Sequence, residues 1–261
     1  MTLRRRLSLW LGESVAPFGP SWLKRAGSAR ALSASAGSRR LRVSPRHGVD
    51  NAAVICPSRL DMPPSASDVD RCLSGLERRE VVRCFTPALE WADAGAFLEA
   101  GFEVYESLHL LVKDLDQPPP LPLHNLSRGR RVHQGDVLKV DQLAFSPFWQ
   151  FDRYALRDAR RATPTSRYSV AVQGRVVGYA ITGHARTRGY LQRLAVHPDA
   201  QGRGLASSLV MDGISWLWHR GVRQVFVNTQ HDNHRALELY ERLGFQQQER
   251  GLVVLHWRQN N

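Results

Sequence analysis

The residues best suited by type and spacing to carry chemistry lie in one stretch, Leu191-Gln192-Arg193-Leu194-Ala195-Val196-His197-Pro198-Asp199-Ala200-Gln201-Gly202-Arg203-Gly204-Leu205-Ala206-Ser207. It reads as a buried strand, a tight turn at His197-Pro198, and a glycine loop that becomes the first turn of a helix. Gly202 and Gly204 let the backbone approach a ligand closely and adopt positive φ where the turn requires it. The free N–H groups at the start of the helix, reinforced by the helix dipole, make an anion site suited to a pyrophosphate. Ala206 and Ser207 are small enough to keep that approach open. Taken alone, the loop reads equally as a glycine turn between strand and helix.

A second cluster follows. The polar loop Asn228–Asn233 ends an apolar strand, and the next helix carries Tyr240 ahead of Leu243-Gly244-Phe245. Asn233 stands where a helix N-cap is expected. Tyr240 reads either as a core aromatic on an amphipathic helix or as a proton donor. His231 and His234 are three apart, with no third ligand in the pattern, so a metal site is not expected.

Together the two clusters resemble the GCN5-related N-acetyltransferase (GNAT) family. Gln201-Gly202-Arg203-Gly204-Leu205-Ala206 is similar to its pyrophosphate loop. Asn233, Ala236, Leu239-Tyr240-Glu241 and Gly244-Phe245 are similar to its second signature, in wording close to that of ribosomal-protein N-terminal acetyltransferases. The resemblance covers roughly Val132 to Trp257. It implies an α/β GNAT fold, a mixed and mostly antiparallel sheet flanked by helices, and acetyl transfer from acetyl-CoA to an amine without a covalent enzyme intermediate. Under it the strand bearing Leu194, Ala195 and Val196 splays from its neighbour through a bulge and pairs with the pantetheine arm. Gly202, Arg203, Gly204, Leu205, Ala206 and Ser207 hold the pyrophosphate, Asn233 is a polar contact near the cofactor arm, and Tyr240 protonates the departing thiolate. The general base stays unassigned, because Gly189–Val196 contains no acidic residue; Tyr190 and Gln192 occupy its polar positions. The acceptor, a small molecule or a peptide or protein terminus, is expected to meet Phe145–Arg161 and a Thr182–Gly189 loop. An acyl-CoA-binding sensor without turnover is the alternative reading.

The elements that must position these residues follow from pattern and punctuation. In the second half they are a helix over Leu138–Phe145, a helix over Phe151–Arg161, and strands Tyr168–Gln173 and Val176–Thr182 around a Gln173-Gly174-Arg175 turn. A strand Tyr190–Val196, a helix Leu205–His219, a strand Val222–Thr229, a helix His234–Leu243 and an extended Phe245–Trp257 complete the block. Ahead of it, order is expected to begin after the Pro63–Asp68 cluster. A helix Asp70–Glu80, a strand Val81–Thr86, a helix Leu89–Ala100 closed by Gly101, and an extended Phe102–Val112 follow. Phe97-Leu98-Glu99-Ala100-Gly101-Phe102 echoes Tyr240-Glu241-Arg242-Leu243-Gly244-Phe245, which suggests a degenerate half-copy. The expected organisation is a flexible basic tail over 1–50, a GNAT-like but noncatalytic segment over 51–116, a Pro/Arg-rich linker over 117–131, and a catalytic domain over 132–261.

Composition sets the outer bounds. With 261 residues, 43% of them hydrophobic, the chain can build a sizeable core. Formal charge is +12, but residues 1–50 hold ten basic and two acidic side chains, and the rest carries only +4. Nucleic-acid binding is therefore not expected beyond weak contact by the tail, whose Arg- and Ser-rich composition is also that of an organellar transit peptide. No apolar run is long enough to span a membrane. Three cysteines without a CxxC pair fit reduced thiols in a cytoplasmic protein.

Overall fold

The computed structural model describes residues 40–46, 49–58 and 62–259, which form two compact units. The first takes in the described residues through His109 together with those from Glu249 onward; the second is Leu110–Gln248.

The first unit contains β1 (Leu41–Pro45), β2 (Ala52–Pro57), α1 (Ala66–Glu77), β3 (Arg83–Phe85), β4 (Leu89–Glu90), α2 (Trp91–Glu99) and β12 (Leu252–Arg258). It also contains the first part of β5 (Glu103–Asp114). Its strands run in the order β1-β2-β3-β12-β5, parallel between β2 and β3 and antiparallel elsewhere, over a core that includes Val43, Ile55, Leu76, Phe97 and Leu255. Order thus begins earlier than the Pro63–Asp68 cluster. The expected tail overlaps β1, whereas its residues 1–39 lie outside the described residues. Five-residue β1 is buried at Leu41 and Val43, an alternation hidden inside a stretch biased to Arg and Ser. Helix α1 starts four residues before the expected Asp70, because Ser65 and Asp68 form a reciprocal cap: Asp68 N donates to Ser65 Oγ and Ser65 N to Asp68 Oδ2. Leu89 and Glu90 belong to a strand against β12, so the helix after them opens at Trp91.

The second unit holds the rest of β5, β6 (Ser127–Arg128), α3 (Gln134–Ala144), α4 (Arg153–Ala159), β7 (Thr165–Gln173), β8 (Arg175–Ala185) and β9 (Arg188–Val196). It continues with α5 (Leu205–Trp218), β10 (Gln224–Gln230), α6 (His234–Arg242) and β11 (Gln246–Gln247). The strand order is β5-β10-β9-β8-β7-β6, with β11 pairing β5. This is the mixed, mostly antiparallel sheet expected: β6 to β9 are antiparallel neighbours, and β9 and β10 run parallel. Leu209, Ile214 and Leu217 of α5 are buried against Leu111, Val222 and Val225. Hydrophobic burial of this kind, about 25 cal/mol per Å², holds the helix on the sheet.

The echo in sequence is an echo in geometry. Gly101 and Gly244 both have positive φ, 83° and 81°, and in each case the following Phe donates back across the turn, Phe102 N to Phe97 O at 3.0 Å and Phe245 N to Tyr240 O at 2.9 Å. These are six-to-one helix stops of the Schellman type. Strand β12, expected within the second block, pairs instead with β3, β4 and β5 of the first unit. Among the described residues no helix is long and apolar enough to cross a membrane.

Candidate functional site

Helix α5 begins at Leu205 with Gly204 as its N-cap, at φ 78° and ψ 0°. Gly202 is at φ 75°. Two left-handed residues two apart turn the chain sharply out of the Pro198–Ala200 turn and into the helix without a Cβ clash. Among the described residues the backbone N–H groups of Gly202, Arg203, Gly204, Leu205, Ala206 and Ser207 have no hydrogen-bond partner; the first to find one is Ser208 N, on Gly204 O at 3.0 Å. Six consecutive unpaired donors at a helix N-terminus make a concentrated anion site. Gly202, Arg203 and Gly204 are exposed, and Ala206 and Ser207 half-buried, so water or a ligand can reach them. The Gln201 side chain ties the loop down: its Nε2 donates to Val196 O at 2.9 Å, and its Oε1 accepts from Arg235 of α6.

Strand β9 leads into this loop, and only its start is paired on the β10 side. The parallel register covers Arg188–Tyr190 with Gln224–Phe226 and then stops, although β9 continues to Val196 and β10 to Gln230. The pairing of β9 with β8 shifts register between Ile181 and Thr182, leaving Gln192 as an extra residue. A bulge bends a strand and increases its local twist. Leu194, Ala195 and Val196 therefore lie on a strand whose β10-facing edge is open, with Ala195 and Val196 buried and Leu194 half-buried. At the last parallel pair Tyr190 stacks on Phe226, with ring centroids 5.7 Å apart.

Asn233 caps α6 by accepting from Ala236 N at 3.1 Å. Seven residues on, Tyr240 is buried in the core with its ring edge-on to Phe245 at 5.7 Å. Its hydroxyl makes no hydrogen bond to the described residues, and burial pushes its pKa well above the ordinary tyrosine range. A phenol in that state stays protonated through neutral pH.

On the other face of β9 stands a network that sequence reasoning missed. Arg193 Nε and Nη2 each donate to a different oxygen of Asp141 at 2.8 Å, Tyr179 OH donates to Asp141 Oδ2 at 2.5 Å, and Phe151 N donates to Asp141 Oδ1 at 2.6 Å. Asp141 thus accepts four bonds, the full capacity of a carboxylate. Arg193 also donates to Trp149 O at 2.7 Å, and its guanidinium carbon lies 3.4 and 3.8 Å from the ring centroids of Phe145 and Phe151. A fully buried ion pair survives desolvation only when satisfied in this way. It fixes the aromatic segment after α3 onto β9. The signal was present in the sequence as an arginine inside an apolar strand and an aspartate beside Val140, each in need of a partner.

The expected Thr182–Gly189 loop is mostly strand, because β8 runs to Ala185 and β9 starts at Arg188, joined by a tight turn with Arg186 at φ 53°. Within Phe145–Arg161, Asp152 caps α4 by accepting from Tyr154 N and Ala155 N. Asp158 is the acid whose pKa is raised to about 6, by burial first, with Arg157 opposing. A carboxyl raised in the folded state favours folding when protonated. The contribution of Asp158 to stability therefore falls as pH rises from about 4 to 6 and is constant above that. Asp158→Asn is expected to remove this fall and to stabilise the protein by about 1–2 kcal/mol at pH 7.5, read from urea unfolding at pH 4.5 and 7.5. An equal effect at both pH values refutes the assignment.

Cys56, Cys72 and Cys84 are buried free thiols, and burial raises each, Cys72 to about 12, which makes them poor nucleophiles. Among the described residues no group of three or more His, Cys, Asp or Glu side chains is placed to hold a metal ion.

Comparison with known proteins follows the same outline. Residues 136–245 match the profile of the Acetyltransferase (GNAT) family. The chain is 32% identical over 145 residues to a mycothiol acetyltransferase of Actinosynnema mirum, covering 50% of this chain and 48% of that one. It is 35% identical over 128 residues to a mycothiol acetyltransferase of Saccharomonospora viridis, covering 42% and 41%. The chain thus spans about half the length of the curated relatives it matches. Among solved structures, a tandem GNAT protein from the clavulanic acid biosynthesis pathway aligns with TM-score 0.64 at 14% identity, covering 85% of this chain and 79% of that one. A GCN5-related N-acetyltransferase from Sphaerobacter thermophilus aligns with TM-score 0.59 at 18% identity, covering 84% and 76%. At such identities the structural likeness speaks for the fold.

Proposed function

We propose that this chain, whose residues 136–245 belong to the GNAT family of acetyltransferases, transfers an acetyl group from acetyl-CoA to a primary amine by direct attack in a ternary complex. The observation that carries the reading is the run of six unpartnered N–H groups, Gly202 to Ser207, at the end of a strand whose edge is open. The loop takes the diphosphate of CoA. The open edge at Leu194, Ala195 and Val196 takes the pantetheine amides, and a backbone N–H there polarises the thioester carbonyl as charge develops on its oxygen. Asn233 spends its side-chain oxygen on the α6 cap, leaving its amide N–H groups for the cofactor arm.

In the reaction the amine nitrogen bonds to the acetyl carbon, the carbon–sulfur bond breaks, and Tyr240 supplies a proton to the departing thiolate. The amine sheds its own proton to solvent or to an ordered water, since β9 offers no carboxylate. The first unit is proposed to be noncatalytic. The N-terminus of α1 is already capped by Ser65 and the carboxylate of Asp68, which repels a second anion.

The test is thioester consumption with acetyl-CoA across a panel of small-molecule amines and short peptides, with CoA binding measured in parallel. The relatives named as mycothiol acetyltransferases put small-molecule amines first in the panel. Consumption coupled to amine acetylation is the expected result; tight binding with no consumption across the panel defeats the reading in favour of a sensor.

A further inference from the structure

Between β5 and β6 the chain crosses Gln117-Pro118-Pro119-Pro120-Leu121-Pro122, which reads as a spacer. Within the second unit it is anchored at both ends: Leu115 is buried in the core and donates to Arg223 O at 2.7 Å, and Leu126 packs against the same core. Between these anchors His124 meets the glycine loop and the first turn of α5. Its backbone N donates to Ser208 Oγ at 3.3 Å, and its ring Nε2 lies 2.7 Å from Arg203 O. A carbonyl can only accept, so Nε2 carries the proton and donates.

We propose that His124 is a positioning residue for diphosphate recognition, acting through the Arg203–Gly204 peptide. This rests on the loop being the CoA diphosphate site. The peptide is trans, so its C=O and N–H point in opposite directions. Holding Arg203 O against the imidazole turns Gly204 N–H the other way and keeps it among the unpartnered donors. A loop with two left-handed glycines has little intrinsic preference for one peptide orientation, and without the imidazole this peptide is free to flip. The Ser208 bond places the histidine on the first turn of α5, the element whose N-terminus it serves. The segment that joins two strands is thereby part of the cofactor site.

The test compares binding of CoA and of pantetheine, which lacks the diphosphate, by calorimetry on the 261-residue chain. His124→Phe keeps the ring volume but removes the donor; His124→Gln keeps an N–H donor. The expected result is a loss of about tenfold in CoA affinity for His124→Phe, unchanged pantetheine affinity, and recovery of most of the loss in His124→Gln. CoA affinity unchanged in His124→Phe, or lost equally for CoA and pantetheine, overturns the proposal while leaving the loop assignment intact. If the unsubstituted protein itself binds CoA no better than pantetheine, the loop assignment has failed and this proposal fails with it.

Discussion

Replacing Gly204 by valine is expected to weaken CoA binding by about a hundredfold or more while the chain stays folded. The residue sits at φ 78°, where a side chain costs roughly 1–2 kcal/mol and a β-branched one more. Space is not the main obstacle at Cβ, whose nearest neighbour is His124 Nε2 at 3.6 Å. Alanine therefore meets chiefly the backbone penalty, and its expected loss is about tenfold. Valine adds two branches against the imidazole and forces φ towards negative values, which re-aims the N–H groups that open α5. Binding is measured by calorimetry, with circular dichroism as the check on folding. Undiminished CoA affinity in the valine variant refutes the loop assignment.

Tyr240→Phe is expected to lower kcat about a hundredfold while leaving CoA affinity within about twofold, the pattern of a group that acts in the transition state rather than in binding. Its hydroxyl has no partner among the described residues, so its removal orphans no donor or acceptor, and the ring retains its packing on Phe245. Stability is accordingly unchanged. Because burial raises the phenol, no loss of kcat from Tyr240 ionisation is expected until pH passes the ordinary tyrosine range. Equal losses in turnover and affinity contradict the proton-donor role and return Tyr240 to the core. Together the two variants test separately the proposed nucleotide-holding role of the loop and the proposed proton-donor role of Tyr240.

These expectations draw unequally on sequence and structure. The glycine loop was legible because its requirement is local: Gly202 and Gly204 meet positive φ in the backbone itself, whatever surrounds them. The Gly244 helix stop, the Asn233 cap and the Gln173–Arg175 hairpin were legible for the same reason. Helix ends were less so. The second-unit helix expected from Leu138 begins at Gln134. Helix α1 begins at Ala66 rather than Asp70, because the Ser65–Asp68 capping box outweighs the polar composition of its first turn.

Contacts between residues distant in sequence were not legible. His124 and Arg203 are 79 residues apart, Asp141 and Arg193 are 52 apart, and no local pattern sets either pairing. The chain order also hid which strands share a sheet. Strand β12 follows α6 and β11 directly in the chain yet pairs with β3 and β5. Leu111 of β5 and Leu115 just after it precede the linker yet belong to the second unit's core. A strand's periodicity says that it will be half or wholly buried, not against which neighbour.

By itself the sequence determined the backbone conformations of the loop, the caps and most helix identities, since each depends on a few adjacent residues and their φ preferences. Only tertiary structure decided that β9 opens from β10 after Tyr190, that Arg193 pairs with Asp141, and that His124 of the crossing segment meets the Arg203 carbonyl. Those features exist because burial leaves polar groups that must find partners, and the partners are brought within reach only once the sheet has formed.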